Sequence, residues 1–243
     1  MAIGMILRNL LSRFLLIVTT IIFFIPIAIF ICIPERYRYK YPVVFYPVHW
    51  FYCAILKCSF LKITYKGLEN IPKDQAVIFA ANHQSTLDIP LVGVLSKGVP
   101  HVWLAKAELM DSVFIRWVVP LISVLVDVSS PRNAMLSLRK ILAVVNNHHR
   151  NLIIFPEGTR RIDGKVHEFF GGFAILAKKT GRPVVPVCIL GINKAYPPET
   201  FWVRLYPITV IVGKPLLYEE NDTDELFKQR VHNWFVEQME QGA

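Results

Sequence analysis

Residues 76–90 read Ala76-Val77-Ile78-Phe79-Ala80-Ala81-Asn82-His83-Gln84-Ser85-Thr86-Leu87-Asp88-Ile89-Pro90. The first five are an unbroken apolar run, as expected of a strand buried on both faces. Pro90 suits the first turn of a helix, and Ser85, Thr86 and Asp88 are residues that make turns and caps. The stretch therefore predicts a strand, a turn and a helix, with a histidine and a carboxylate at the junction. In an open α/β sheet, ligands bind at that junction. Five steps along an ideal helix would separate His83 and Asp88 in azimuth, so they meet only if the chain turns between them. A carboxylate on one imidazole nitrogen fixes the tautomer and leaves the other nitrogen free as a general base. The competing reading is that Asp88 caps the helix and His83 is an ordinary polar residue. On this stretch alone that reading is at least as good.

Outward from here, short β-branched runs alternate with amphipathic stretches. The strands expected are Leu61–Tyr65, Ala76–Ala80, Val102–Leu104, Ile122–Val128, Leu152–Phe155, Val184–Ile189 and Ile208–Val212. The helices expected are Leu87–Ser96, Glu108–Val118, Ala134–Asn147, Gly172–Lys179 and Thr223–Met239. This alternation predicts an α/β fold with a mixed, mostly parallel central sheet flanked by helices. In the Ala134–Asn147 helix, Leu136, Leu138, Ile141, Leu142 and Val145 form the expected apolar side. The last helix has a cap signal at Asp222 or Thr223 and an apolar face of Leu226, Phe227, Val231, Trp234 and Phe235.

The N-terminal region has a different texture. Phe14 to Ile33 carries no charge and is long enough to span a bilayer. Arg8 and Arg13 precede it, and Arg36, Arg38 and Lys40 follow. Positive charge on both sides gives no orientation and fits two ends near one anionic leaflet. A shorter apolar stretch, Tyr41–Leu56, carries Trp50 and several tyrosines, which favour the interface. The expected division is residues 1–60 as a two-helix membrane anchor and 61–243 as the α/β domain. A net charge of +9 favours an anionic partner. The 53% hydrophobic content and mean hydropathy of +0.41 argue against a soluble nucleic-acid binder and for a membrane surface. Cys32, Cys53, Cys58 and Cys188 form no C-x-x-C pair, which leaves buried, reduced thiols as the expectation.

A second stretch weighs on the histidine. In Leu152-Ile153-Ile154-Phe155-Pro156-Glu157-Gly158-Thr159-Arg160 a buried run stops at Pro156, and Gly158 permits a tight turn. Glu157 and Arg160 are thereby brought to a strand's C-terminal edge, where a guanidinium beside turn amides makes a phosphate site. A surface turn with a local ion pair of little energetic value is the bland alternative.

Asn82-His83-x4-Asp88 together with Phe155-Pro156-Glu157-Gly158-Thr159-Arg160 closely resembles the glycerolipid acyltransferase family, in particular its bacterial branch that acylates lysophosphatidate. Lys106-Ala107-Glu108-Leu109 and Val185-Pro186-Val187 are similar to further family segments, and the N-terminal region resembles the two-helix membrane motif of bacterial members. The resemblance implies transfer of a fatty acyl group from acyl-coenzyme A or acyl-carrier protein to the sn-2 hydroxyl of lysophosphatidate. It implies His83 as general base, Asp88 as its orienting partner, and Glu157, Gly158, Thr159 and Arg160 as the acceptor-binding set. No metal and no cofactor beyond the acyl donor is implied. Membrane phospholipids are the expected surroundings, at the inner membrane with the catalytic domain on the cytoplasmic face. One departure matters. Where family members carry an arginine after the aspartate that here is Asp127, this chain has Val128, and Arg132 is the candidate substitute. That departure keeps open other lyso-lipid acceptors, such as a lyso-ornithine lipid. A hydrolase and a non-catalytic binder of anionic lipid are the alternatives of other classes.

Overall fold

The computed structural model describes residues 3–106, 123–127, 129–146, 150–161, 163–198 and 200–242. The helix expected at 108–118 and Val128 lie outside the described residues. Seven strands form one sheet: β1 (Ile63–Lys66), β2 (Ile78–Ala81), β3 (His101–Lys106), β4 (Ser123–Val126), β5 (Asn151–Ile154), β6 (Val184–Leu190) and β7 (Ile208–Val212). Their order across the sheet is β1-β7-β6-β2-β5-β3-β4. All neighbours are parallel except β6 and β7, so β1 and β7 run together against the other five.

β2 sits at the centre, with Ile78 facing Leu152 on one side and Val184 on the other. Its four residues have no exposed surface. Alternation along it feeds two cores. Ile78 and Ala80 pack with Phe173, Phe227 and Phe235 on one face, whereas Val77, Phe79 and Ala81 pack with Leu91, Val92 and Val187 on the other. A strand buried on both faces needs an apolar residue at every position, which is why the run at 76–81 has no polar break.

Six helices of interest surround the sheet: α1 (Ile3–Cys32), α2 (Tyr46–Cys58), α3 (Asp88–Gly93), α4 (Pro131–Asn146), α5 (Gly172–Thr180) and α6 (Asp224–Gln241). α4 begins at Pro131 rather than Ala134, because Ser130 Oγ accepts from the Asn133 amide and caps the end. Its Ile141 and Val145 are buried, but Leu136, expected on that side, is exposed. In α6 the cap is Thr223, whose Oγ1 accepts from the Leu226 amide at 3.1 Å. Phe227, Val231 and Phe235 form the buried face, and Leu226 falls outside it.

α1 is longer than the uncharged run that announces it, about 45 Å at 1.5 Å per residue. Leu7, Leu10, Phe14, Ile17, Ile21 and Ile25 are exposed at helical spacing and make a continuous apolar stripe. The other side is held by the protein. Asn9 is buried, Ser12 Oγ donates to the Cys58 carbonyl at 2.5 Å, and the Phe23 and Phe51 rings lie 5.5 Å apart. Arg38, 7% exposed, turns back to donate to the carbonyls of Ile31 and Ile33, capping α1 instead of reaching outward.

Of the two anchor helices expected, only α1 is long and apolar enough to cross a membrane. α2 is also a core element. Val48 and Tyr52 are buried, and the Tyr52 hydroxyl accepts from Trp103 Nε1 at 3.2 Å and pairs with His101 Nε2 at 3.3 Å. Burial pushes the Tyr52 hydroxyl up to about 12 and the His101 imidazole down to about 4. Among the free cysteines, Cys188 is buried as expected, while Cys32 is exposed on α1.

Candidate active site

Asn82 is the first residue beyond β2, and its side chain does the work of a backbone. Its Nδ2 donates to the Ile189 carbonyl at 2.9 Å, and its Oδ1 accepts from the Ile189 amide at 2.7 Å. A carboxamide carries one donor and one acceptor group, so it extends the β2–β6 ladder after the main chain has left it. The main chain is then free to turn.

The turn is built on Asp88, the first residue of α3, which has no exposed surface. Its Oδ2 accepts from the Gln84 amide at 2.6 Å, from the Ser85 amide at 2.7 Å and from His83 Nδ1 at 2.8 Å. Asp88 therefore reaches back over the turn rather than forward to cap its own helix, and this brings it to the histidine five residues earlier. Since Nδ1 carries the proton shared with Asp88, Nε2 is the free acceptor. The His83 side chain is 13% exposed, enough to be approached from one side. Its ring lies on Phe155 with centroids 3.9 Å apart and planes 9° from parallel, and Phe155 in turn stacks on Trp103 at 5.6 Å. The carboxylate fixes one edge of the imidazole and the aromatic stack fixes its plane.

The second stretch closes on the same residue. Beyond β5, Gly158 donates to the Phe155 carbonyl at 2.9 Å in a tight turn, with φ at +67°. Glu157 Oε1 accepts from the His83 amide at 3.4 Å, and the Arg161 amide donates to the His83 carbonyl at 2.8 Å. Glu157 is 4% exposed, and its Oε2 has no hydrogen-bond partner among the described residues. Burial pushes this carboxyl up to about 7, against the opposing pull of the His83 amide and the nearby His167 and Arg161. A cleft of about 340 Å³ opens beside it, lined by Glu157, Thr159, Arg161, His167 and Phe170 among others. Thr159, part of that lining, is exposed, and so is Arg160 after it.

His83, Asp88, Glu157, Gly158 and Thr159 are thus brought together at the C-terminal ends of β2 and β5. Arg160 is beside them. Arg132 is at the same edge of the sheet but in the first turn of α4, after β4, three strands from β2. At a strand spacing of about 4.8 Å that is roughly 14 Å to the side. Sequence reading passes over Asn82 as a structural residue, Phe155 as the support of the imidazole, and His167. The last pairs with Asp163 at 2.8 Å, and its one sequence signal is that four-residue spacing.

A strand–turn–helix histidine held by a buried aspartate, met by a glutamate–glycine turn from the neighbouring parallel strand, defines a general-base site at the carboxyl edge of an α/β sheet. Residues 62–190 match the family described as Acyltransferase, and the chain belongs to that family. Over 218 residues it is 30% identical to the 1-acyl-sn-glycerol-3-phosphate acyltransferase of Pseudomonas aeruginosa, covering 85% of this chain and 80% of that one. The corresponding protein of Borreliella burgdorferi is 32% identical over 179 residues, or 70% of each chain. The crystal structure of the 1-acyl-sn-glycerophosphate acyltransferase PlsC from Thermotoga maritima superposes with a TM-score of 0.77 at 28% identity, over 98% of this chain and 96% of that one. Against the chloroplastic BAT2 acyltransferase of Brassica napus the identity is 30% over 200 residues, and the chain spans about half, 55%, of that longer relative.

Proposed function

We propose that this protein moves a fatty acyl group from an acyl thioester to the sn-2 hydroxyl of lysophosphatidate, giving phosphatidate. The observation that carries the reading is the His83–Asp88 pair, joined through the His83 backbone to the Glu157–Arg161 loop. An alcohol near neutral pH is a poor nucleophile. His83 Nε2 takes the hydroxyl proton as the oxygen attacks the thioester carbonyl, and Asp88 stabilises the imidazolium that forms. The C–S bond then breaks, and the proton passes from His83 to the departing thiolate. No covalent acyl-enzyme is required, because both substrates are present together. Arg160 is the cation assigned to the acceptor phosphate, with Glu157 and Thr159 on the glycerol backbone; Arg132 is the further candidate for the phosphate. The donor is acyl-coenzyme A or acyl-carrier protein.

The site works at a bilayer surface, because the lysophosphatidate acceptor and the phosphatidate product are held there. α1 supports this reading by its exposed apolar stripe, and α2, packed along it, completes the anchor. This reading assigns the catalytic domain to the cytoplasmic face of the inner membrane.

The test is to incubate purified protein in detergent with lysophosphatidate and a labelled long-chain acyl thioester, in parallel with His83→Ala. Labelled phosphatidate from the wild type, abolished in a folded variant, is the expected result. Product from both proteins would remove His83 from its role. With Val128 at the position that resembles the family's arginine site, a phosphate-free lyso-lipid is run alongside, and equal rates would refute lysophosphatidate as the preferred acceptor.

A further inference from the structure

We propose that the segment joining β6 to β7, residues 191–207, is a second lipid-contacting element, which lays the catalytic edge of the sheet on an anionic bilayer. The proposal goes beyond the reaction above and does not depend on it. It extends the membrane surface from α1 to a part of the α/β domain itself.

The topology places this segment. β6 is parallel to β2 and β7 is antiparallel to β6, so β6 ends and β7 begins at the edge where β2 delivers His83. Three large apolar side chains stand out from it within six residues: Phe201 at 54% exposure, Leu205 at 70% and Tyr206 at 38%. Single exposed apolar residues are ordinary on a protein surface, but a cluster of this kind marks a contact.

Cations accompany these side chains. The Arg13 guanidinium lies 4.6 Å above the Phe201 ring, Lys194 Nζ is 3.2 Å from the Tyr206 hydroxyl, and Arg204 is exposed between them. Aromatic rings interleaved with cations suit the headgroup layer of an anionic leaflet, where the rings sink and the charges stay at the phosphates. The segment's one acid, Glu199, lies outside the described residues.

The segment is also continuous with α1. Asn9, 1% exposed, accepts from the Val203 amide at 2.7 Å and donates to the Val203 carbonyl at 3.1 Å, while Arg8 donates to that same carbonyl and Arg13 to the carbonyl of Phe201. The apolar stripe of α1 and the exposed ledge at 201–206 are therefore held in one rigid relation. On its inner side the segment meets the catalytic turn, where Ser85 Oγ donates to the Tyr196 carbonyl at 2.7 Å. A bilayer that receives α1 consequently meets this ledge too, with His83's edge facing it. A protein partner or a second copy would not require the adjoining 30-residue apolar helix.

The test uses the full chain bound to vesicles of phosphatidylglycerol and phosphatidylcholine. A diazirine-bearing amino acid is placed at Leu205, at Ile21 on α1, or at Leu226. Leu226 is also exposed, at 52%, but belongs to α6, which follows the opposite end of β7. After illumination, mass spectrometry reads phospholipid adducts. Leu205 and Ile21 are expected to give adducts several-fold above Leu226. A yield at Leu205 equal to that at Leu226, with Ile21 labelled, would overturn the proposal while leaving α1 as the anchor. Cross-linking of Leu205 to another copy of the chain would overturn it in favour of self-association. Absence of adducts at both Leu205 and Ile21 would overturn it together with the membrane placement of α1. None of these outcomes bears on the acyl-transfer chemistry, which is measured separately.

Discussion

Replacing Glu157 with glutamine tests the electrostatics of the site without removing its hydrogen bonds. The glutamine carbonyl can still accept from the His83 amide, but the side chain no longer titrates. In the unfolded chain this carboxyl releases its proton near 4.5, whereas burial in the fold holds it to about 7. Between those values the folded state keeps a proton that the unfolded state has lost. Stability therefore falls as pH rises through that window and levels off above it. At about 1.4 kcal/mol per pH unit, the full difference amounts to about 3–4 kcal/mol. For a chain of this size it corresponds to a shift of about 7–14 °C in Tm. Thermal unfolding followed by circular dichroism in detergent, at about pH 4.5 and about pH 8, should show this contrast. Wild type and Glu157→Gln melt together in acid, and the variant melts higher in alkali. Parallel melting curves that differ equally at both pH values would refute the burial argument. A variant less stable in alkali would reverse its sign.

Asp88→Asn should leave the turn formed, since the amide oxygen can still accept from Gln84 and Ser85. That oxygen is also the one facing His83 Nδ1, so the tautomer is kept, but the negative charge that stabilises the imidazolium is gone. Acyl transfer should fall by about 10²–10⁴, and near-normal turnover would remove the charge-stabilising role of Asp88. Asn82→Ala strands the amide and carbonyl of Ile189 inside the core. Chemical or thermal unfolding should reveal a loss of about 2–4 kcal/mol, and a loss within error would show that the ladder closes without it. Phe155→Leu keeps an apolar wall but removes the flat surface beneath the imidazole. The turnover rate should drop several-fold with KM little changed, and a change confined to KM would make Phe155 a substrate contact instead.

The seven strands are legible in the sequence because five of them are parallel neighbours in a sheet covered on both faces. Such strands show as apolar runs that few helices of this length would imitate. The helices are less so, and the misplacements of Leu136 and Leu226 share a cause. An apolar residue in the first turns of a helix can be counted on its stripe while the helix end projects past the core. α1 reads too short in sequence because Arg8 and Arg13 look like the end of an apolar run. In the folded chain they are spent on the carbonyls of Val203 and Phe201, some 190 residues away. The pairing of His83 with Asp88 is a local matter of turn residues and can be inferred. The arrival of Glu157 and Arg161 on either side of the His83 backbone depends on β2 and β5 being adjacent, which no spacing in the chain encodes. Resemblance to a family supplies that link where local periodicity does not. The Phe155 ring under the imidazole and the Asn82 bridge are packing facts with no sequence pattern of their own.

His83 is gripped by its own main chain from the loop opposite, its N–H by Glu157 and its C=O by Arg161. For anyone redesigning the enzyme, the loop at 155–161 is therefore not an interchangeable cassette. Grafting in a foreign loop to accept a new headgroup would shift the histidine along with it, unless both clasps were carried over. Thr159 and Arg160 are different. They are exposed, outside those clasps, and can be diversified in a library while the imidazole stays where Asp88 and Phe155 hold it. New acceptors should be sought by varying those two positions, on an otherwise native loop.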